Sequence, residues 1–269
     1  MTSRYFASPS PRLFAHRGFS ARFPENTIAA FRAALATGTP YLELDVWASR
    51  DGVVMVHHDE TLFRMCGKLR RIRNLTFAEI KSCDAGWSFR DKERGRPFRG
   101  RGITVPSLNE VFDACPQAFI NIEIKQSDPP IEALVVDTVR RAGREETVLL
   151  ASESDQVMER LRPLCGAIPT GSGRGDIAAF LNWLKQGCPP GYHPLGRALQ
   201  VPESYRGIPI VFPDSVAAAH AAGLEMHVWT VNRPEDMKRL LRMGVDGIMS
   251  DDPELLVRTA EEVALQGMT

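Results

Sequence analysis

The stretch Phe119-Ile120-Asn121-Ile122-Glu123-Ile124-Lys125 alternates apolar and polar residues with a period of two, the spacing of a β-strand. A helical pattern over residues 131–142 follows it. Outward from this unit, seven further short apolar runs read as strands: 13–16, 41–46, 147–152, 167–170, 198–201, 225–231 and 247–250. Helical patterns follow most of them, at 27–36, 108–115, 155–162, 176–185, 215–222, 235–243 and 253–264. Repeated βα units predict a parallel sheet. Eight of them in about 250 residues predict a closed α/β (β/α)₈ TIM barrel. The rival is an open doubly wound sheet, but no GxGxxG follows the first strand. Helix punctuation agrees. Ser107 and Glu110 have capping-box spacing, Asp252 precedes Pro253, and Gly244 follows the 235–243 pattern.

The chain has 269 residues, with 33 Lys plus Arg balanced by 33 Asp plus Glu, so the net charge is zero and no nucleic-acid partner is expected. Hydrophobic residues at 43% and charged residues at 25% fit a globular protein and exclude wholesale disorder. No stretch is apolar enough to span a bilayer, and the first residues lack the apolar run of a secretory signal. Five cysteines with no CxxC pair argue against a disulfide framework or zinc site. A cytoplasmic location is the expectation. Residues 1–269 read as one catalytic domain, with an insertion after the second barrel strand at about 61–106. That insertion carries twelve Lys or Arg against four Asp or Glu, with Trp87, Phe89 and Phe98 among them. It is expected to be a solvated loop with one short helix at 76–83.

Strands covered on both faces normally read as apolar runs. Here Glu43 and Asp45 share one face of the second strand, and Glu123 and Lys125 share one face of the third. Leu42, Leu44, Val46 and the isoleucines then face the helices, and the charges face the interior near the C-terminal strand ends, where barrel active sites are built. Burying such charge unpaired costs several kcal/mol, about a domain's stability margin. A hard divalent cation, Mg²⁺ or Ca²⁺, compensates three carboxylates. A structural ion-pair cluster around Lys125 is the alternative. His16 and Arg17 end the first strand, and His57-His58-Asp59 follows the run 53–56. His16 and His58 suit general acid–base work, and Arg17 and Lys125 suit an anionic group. By alternation His57 points away. Asn26 reads equally as a helix cap and as a site residue, Glu25 leans to a supporting role, and Asp251 and Asp252 read as caps of the last helix.

At these residues the chain resembles the glycerophosphodiester phosphodiesterase family. The resemblance rests on His16-Arg17-Gly18, Pro24-Glu25-Asn26-Thr27, Glu43-Leu44-Asp45, Asp51-Gly52, His58-Asp59-Glu60-Thr61-Leu62, Pro106-Ser107-Leu108-Asn109-Glu110 and Ile122-Glu123-Ile124-Lys125. It continues in Val228-Trp229-Thr230-Val231-Asn232 and Gly244-Val245-Asp246-Gly247-Ile248, and runs from about residue 12 to 258. It implies a TIM barrel with an insertion after the second strand. It implies hydrolysis of glycerophosphodiesters such as glycerophosphocholine or glycerophosphoethanolamine to an alcohol and glycerol 3-phosphate. Glu43, Asp45 and Glu123 would hold one divalent metal ion (Mg²⁺ or Ca²⁺, with Mn²⁺ as a further candidate). His16 and His58 would be the acid–base pair, Arg17 and Lys125 would bind phosphate, and Trp229 would line the pocket.

Three other readings stand beside this one: a lysophospholipase D-type activity, a catalytically silent phosphate-ligand binder, and another metal-dependent barrel enzyme. An isomerase has no need of the paired HRG and HD motifs, and a Schiff-base aldolase would set Lys125 in an apolar pocket. The basic insertion is expected to act as a lid that draws anionic substrates to the mouth, or to touch an anionic lipid surface transiently. The nucleophile is either water or a neighbouring substrate hydroxyl that would form a cyclic phosphate.

Overall fold

The computed structural model describes residues 3–8 and 10–266. The strands are β1 (Arg12–His16), β2 (Tyr41–Ala48), β3 (Val54–Val56), β4 (Phe119–Ile124), β5 (Val148–Ala151), β6 (Ala198–Val201), β7 (Ser204–Tyr205), β8 (Ile208–Pro209), β9 (Glu225–Val228) and β10 (Gly247–Ser250). Seven of them form a parallel curled sheet in the order β5-β4-β2-β1-β10-β9-β6. Helices connect them, in the manner of an α/β TIM-like barrel.

The run expected at 167–170 is not a strand. Thr170 bridges to Leu150 and Gly171 to Ala198, so this segment links β5 to β6 through isolated pairs only. Pro169 lacks a backbone donor and offers only its carbonyl, to Leu150 N.

Period-two alternation sorts the side chains. Ala15, Leu42, Leu44, Val46, Ile120, Ile122, Ile124, Val148 and Leu150 pack outward, in one cluster with the helices. Phe14, Tyr41, Phe119, Leu149 and Met249 form a separate inner cluster with Tyr5. Along the inner face, Phe14 is followed by His16, Tyr41 by Glu43 and Asp45, and Phe119 by Asn121 and Glu123. The barrel interior is therefore aromatic at the N-terminal strand ends and charged at the C-terminal ends. Tyr5 closes the aromatic end, with its ring edge-on to Tyr41 at 5.4 Å and Phe119 at 6.2 Å.

Between β2 and β4 the chain is not a loosely solvated loop. β3 returns antiparallel on β2. Beyond it lie two short helices, Phe63–Cys66 and Phe77–Lys81, and a 3₁₀ turn, Ile72–Asn74. A small core of its own, including Met55, Leu62, Met65, Ile72, Leu75 and Ile80, holds this region together. Only the second helix shows in the sequence, through its capping box of Thr76 and Glu79. The first is a single turn, too short for a periodic signal. Among the described residues no helix is long and apolar enough to cross a membrane.

Candidate active site

Strand register builds the site. His16 pairs with Glu43 across β1 and β2, and Asp45 pairs with Glu123 across β2 and β4. Oxygens of Glu43, Asp45 and Glu123 lie within 4.8 Å of one another. Lys125 follows β4, and its Nζ is 2.8 Å from Glu123 and 3.2 Å from Asp45. Arg17 Nε stands 3.3 Å from Asp45 on the other side.

These contacts divide the carboxylates unequally. Burial pushes the Glu43 carboxyl up, reinforced by the Asp45 charge, to about 7. Burial also raises Glu123, with Lys125 opposing. Asp45 stays below the usual range despite its burial, because Lys125 and Arg17 flank it. Two cations therefore settle one carboxylate and leave the other two strained. A hard, oxygen-liganded divalent cation fits this donor set.

Loop geometry places Arg17. It has φ +56°, and its backbone N–H donates to the Glu43 carboxylate at 3.1 Å. Gly18 follows with φ +81°, where a Cβ would lie 2.7 Å from the Ala30 carbonyl carbon. Gly18→Ala is expected to cost about 2–4 kcal/mol from left-handed strain and overpacking, read as a shift of the urea midpoint. An unshifted midpoint would show that the turn relaxes freely.

The Glu25-Asn26-Thr27 run splits into three tasks. Glu25 accepts from Arg17 at 3.1 Å and from Arg64 at 2.6 Å. Asn26 is buried and donates to Asp45 at 2.9 Å. Thr27 caps the helix Ile28–Leu35, its Oγ1 accepting from Ala30 N. Asn26 is thus a site residue, not the cap.

Each of the two motif histidines has a carboxylate at Nδ1. His58 Nδ1 is 2.7 Å from Asp59, which Arg64 holds in turn at 2.7 Å. His16 Nδ1 is 2.7 Å from Asp251, which also accepts from Ser20 and Asn232. Burial opposes protonation of His16, but the Asp251 hydrogen bond and the Glu43 charge outweigh it and raise the pKa. His57 is fully buried with Nδ1 on the Asp59 carbonyl, and burial lowers its pKa. Asp252 does cap the last helix, through Leu255 N at 3.0 Å. The expectation for Asp251 is corrected: it faces His16. Its sequence neighbours Asp252 and Pro253 give a cap signal that masks this, and only its place at the end of β10 hints at the site.

A cavity of about 400 Å³ opens above these groups, lined by His16, Arg17, Glu43, His58, Glu123, Lys125 and Trp229. Asp45 lies beneath it, 1% exposed. The far wall comes from the helix Arg174–Lys185, from β7 and β8, and from the residue after β8: Ile177, Leu181, Tyr205, Ile208 and Ile210. The ion-paired Glu153 and Arg174 and the hydrogen-bonded Asn121 and Gln200 add polar points. Sequence motifs identify none of this wall. Among the described residues, none of 61–106 is among those lining the cavity.

Comparison with known proteins gives a consistent result. The model of the glycerophosphoryl diester phosphodiesterase family matches residues 16–255. A glycerophosphodiester phosphodiesterase of Caldanaerobacter subterraneus subsp. tengcongensis is 34% identical, covering 91% of this chain and 96% of its own. A human lysophospholipase D is 26% identical, covering 90% and 83% respectively. The solved structure of an Oleispira antarctica phosphodiesterase, in complex with the product sn-glycerol-3-phosphate, superposes with TM-score 0.72 at 23% identity, covering 94% of this chain and 97% of that one.

Proposed function

Because the chain belongs to the glycerophosphoryl diester phosphodiesterase family and is a phosphoric diester hydrolase, we propose that it cleaves glycerophosphodiesters such as glycerophosphocholine to an alcohol and glycerol 3-phosphate by two-histidine acid–base catalysis. The carrying observation is that His16 and His58, each oriented by an aspartate, share one cavity with three clustered carboxylates. The proposal includes a closed (β/α)₈ barrel spanning the chain, with residues 61–106 as its insertion. Five unpaired cysteines suit a cytoplasmic setting.

Glu43, Asp45 and Glu123 would hold Mg²⁺, Ca²⁺ or Mn²⁺, which when bound polarises the phosphoryl oxygens and offsets charge developing in the displacement. Arg17 and Lys125 bring fixed positive charge to the same oxygens. Asp251 and Asp59 keep a proton on each Nδ1 and leave each Nε2 for transfer. His16, with its raised pKa, suits protonation of the leaving alkoxide, and His58 removes the proton from the nucleophile. Trp229 packs at the mouth, against the leaving group.

The test is glycerol 3-phosphate release from glycerophosphocholine and glycerophosphoethanolamine by metal-stripped protein, with Mg²⁺, Ca²⁺ or Mn²⁺ restored. Release that requires metal supports the proposal; release undiminished in chelator refutes its metal part. Asp251→Asn is expected to lower kcat by about 10- to 100-fold with little change in KM, since the ring loses the charged acceptor that fixes its tautomer and supports its protonated form. An equal loss of kcat and thermal stability would instead mark Asp251 as structural.

The apolar far wall favours a second reading, lysophospholipase D-type cleavage, in which Ile177, Leu181 and Ile210 hold an acyl chain. Choline release from lysophosphatidylcholine, weakened by Leu181→Asn more than release from glycerophosphocholine, would support it.

A further inference from the structure

Leu69 is 80% exposed and Phe63 60%. Single exposed apolar side chains are ordinary, but these stand in a group. The helix Phe63–Cys66 ends at Gly67, φ +68°, where a Cβ would lie 2.6 Å from the Trp87 indole nitrogen. Glycine therefore lets Trp87 lie against the helix end. The Arg99 guanidinium sits 3.3 Å over the Trp87 ring, and Arg96 lies 6.0 Å away. In the same segment Lys68, Arg90, Arg94, Arg96, Arg99 and Arg101 pair with no carboxylate among the described residues. The other basic residues here that do pair use Glu25, Asp59, Glu60, Glu79, Glu110 and Asp128.

This patch is tied to the catalytic end of the barrel through Arg64. Arg64, on the same short helix as Phe63, holds Asp59 beside His58 and Glu25 beside Arg17. β7 and β8, also on the cavity rim, carry Tyr205 and Ile208, 57% and 64% exposed, with Arg206 over the Tyr205 ring. Apolar side chains flanked by arginines thus stand both on the cavity rim and on the segment that Arg64 ties to His58 and Arg17.

We infer that this end of the barrel docks on an anionic phospholipid surface, with Phe63, Leu69 and Trp87 entering the interface and the insertion's unpaired arginines on lipid phosphates. Charge complementarity carries the choice: a chain of zero net charge gathers twelve cations against four anions in this one segment. The apolar tips favour lipid over nucleic acid. Leu69 offers no stacking face, and Arg99 already covers the Trp87 ring that a base would need. Trp at the headgroup level with arginines around it is the composition of an interfacial anchor.

The test is co-sedimentation of the full chain with vesicles of phosphatidylcholine alone and of phosphatidylcholine with about one-third phosphatidylglycerol. Partition into the anionic vesicles is expected to exceed that into neutral ones by about tenfold or more and to collapse in high salt. Leu69→Ser and Arg99→Gln are each expected to weaken it by about fivefold, with thermal midpoints unchanged. Equal partition into both vesicles, absence of partition, or indifference to both substitutions would overturn the inference. Binding of a single-stranded oligonucleotide that competes with vesicles and ignores Leu69→Ser would make the patch a nucleic-acid surface and overturn it too.

Discussion

His16→Ala is expected to lower kcat on glycerophosphocholine by about 10²- to 10⁴-fold, the range for removal of a positioned proton donor. The fold should survive. Asp251 keeps its hydrogen bonds from Ser20 and Asn232, and the backbone of Arg17 still donates to Glu43. The thermal midpoint is therefore expected to move by only a few degrees, about what 1 kcal/mol produces in a domain of this size. His58→Ala should lose as much, and the double variant little more than either single, since residues acting as one unit are not additive. A His16→Ala enzyme with near-normal kcat would exclude His16 from proton transfer. Loss of activity together with unfolding would be separated from a catalytic defect by adding imidazole, which restores part of the rate only where a folded site awaits a ring.

Glu43→Gln is expected to abolish metal-dependent turnover and yet stabilise the metal-free protein. The Glu43 carboxyl titrates near 7 in the folded chain against an ordinary value of 4.5. Between those values the folded state binds a proton that the unfolded state releases, so wild-type stability falls as pH rises through this window. Above it the full penalty applies, and glutamine removes it. The expected gain in chelator at pH 8 is about 1–3 kcal/mol, vanishing below pH 4.5. Saturating metal reverses the order, because the ion stabilises only the chain that binds it. Urea melts at two pH values, with and without metal, give all four comparisons. A variant no more stable than wild type in chelator at pH 8 would mean that Glu43 is already compensated without an ion. Retained metal-dependent turnover would remove it from the ligand set.

Much of this site could be read along the chain. Glu43, Asp45 and Glu123 announce themselves because a charge on an otherwise apolar strand has no cheap burial, and period two assigns it a face. Their closeness across β2 and β4 follows once the strands are neighbours in register. The helices, too, lie within a few residues of their patterns, since most combine an apolar stripe with cap or first-turn proline chemistry that acts locally. The run 167–170 misleads because a short, mostly apolar stretch resembles a strand whether or not its backbone finds partners. The insertion misleads because its charges dominate its composition while its core is made of scattered apolar residues.

What the sequence determines by itself is whatever depends on nearest neighbours: periodicity, capping, the face a side chain takes, and the residue types that motifs bring near one strand end. Tertiary structure alone decides the partners. Asp251 reads as a helix cap beside Asp252, and becomes the acceptor for a histidine 235 residues away only because β10 pairs with β1. Asn26 turns from the helix it precedes to the buried Asp45. The apolar wall of the cavity comes from the helix after residue 173 and from β7 and β8, which no motif marks. Hydrogen bonds and packing act over a few ångströms, and which distant residues fall within that range is set by how the strands pair in the curled sheet, not by any local pattern.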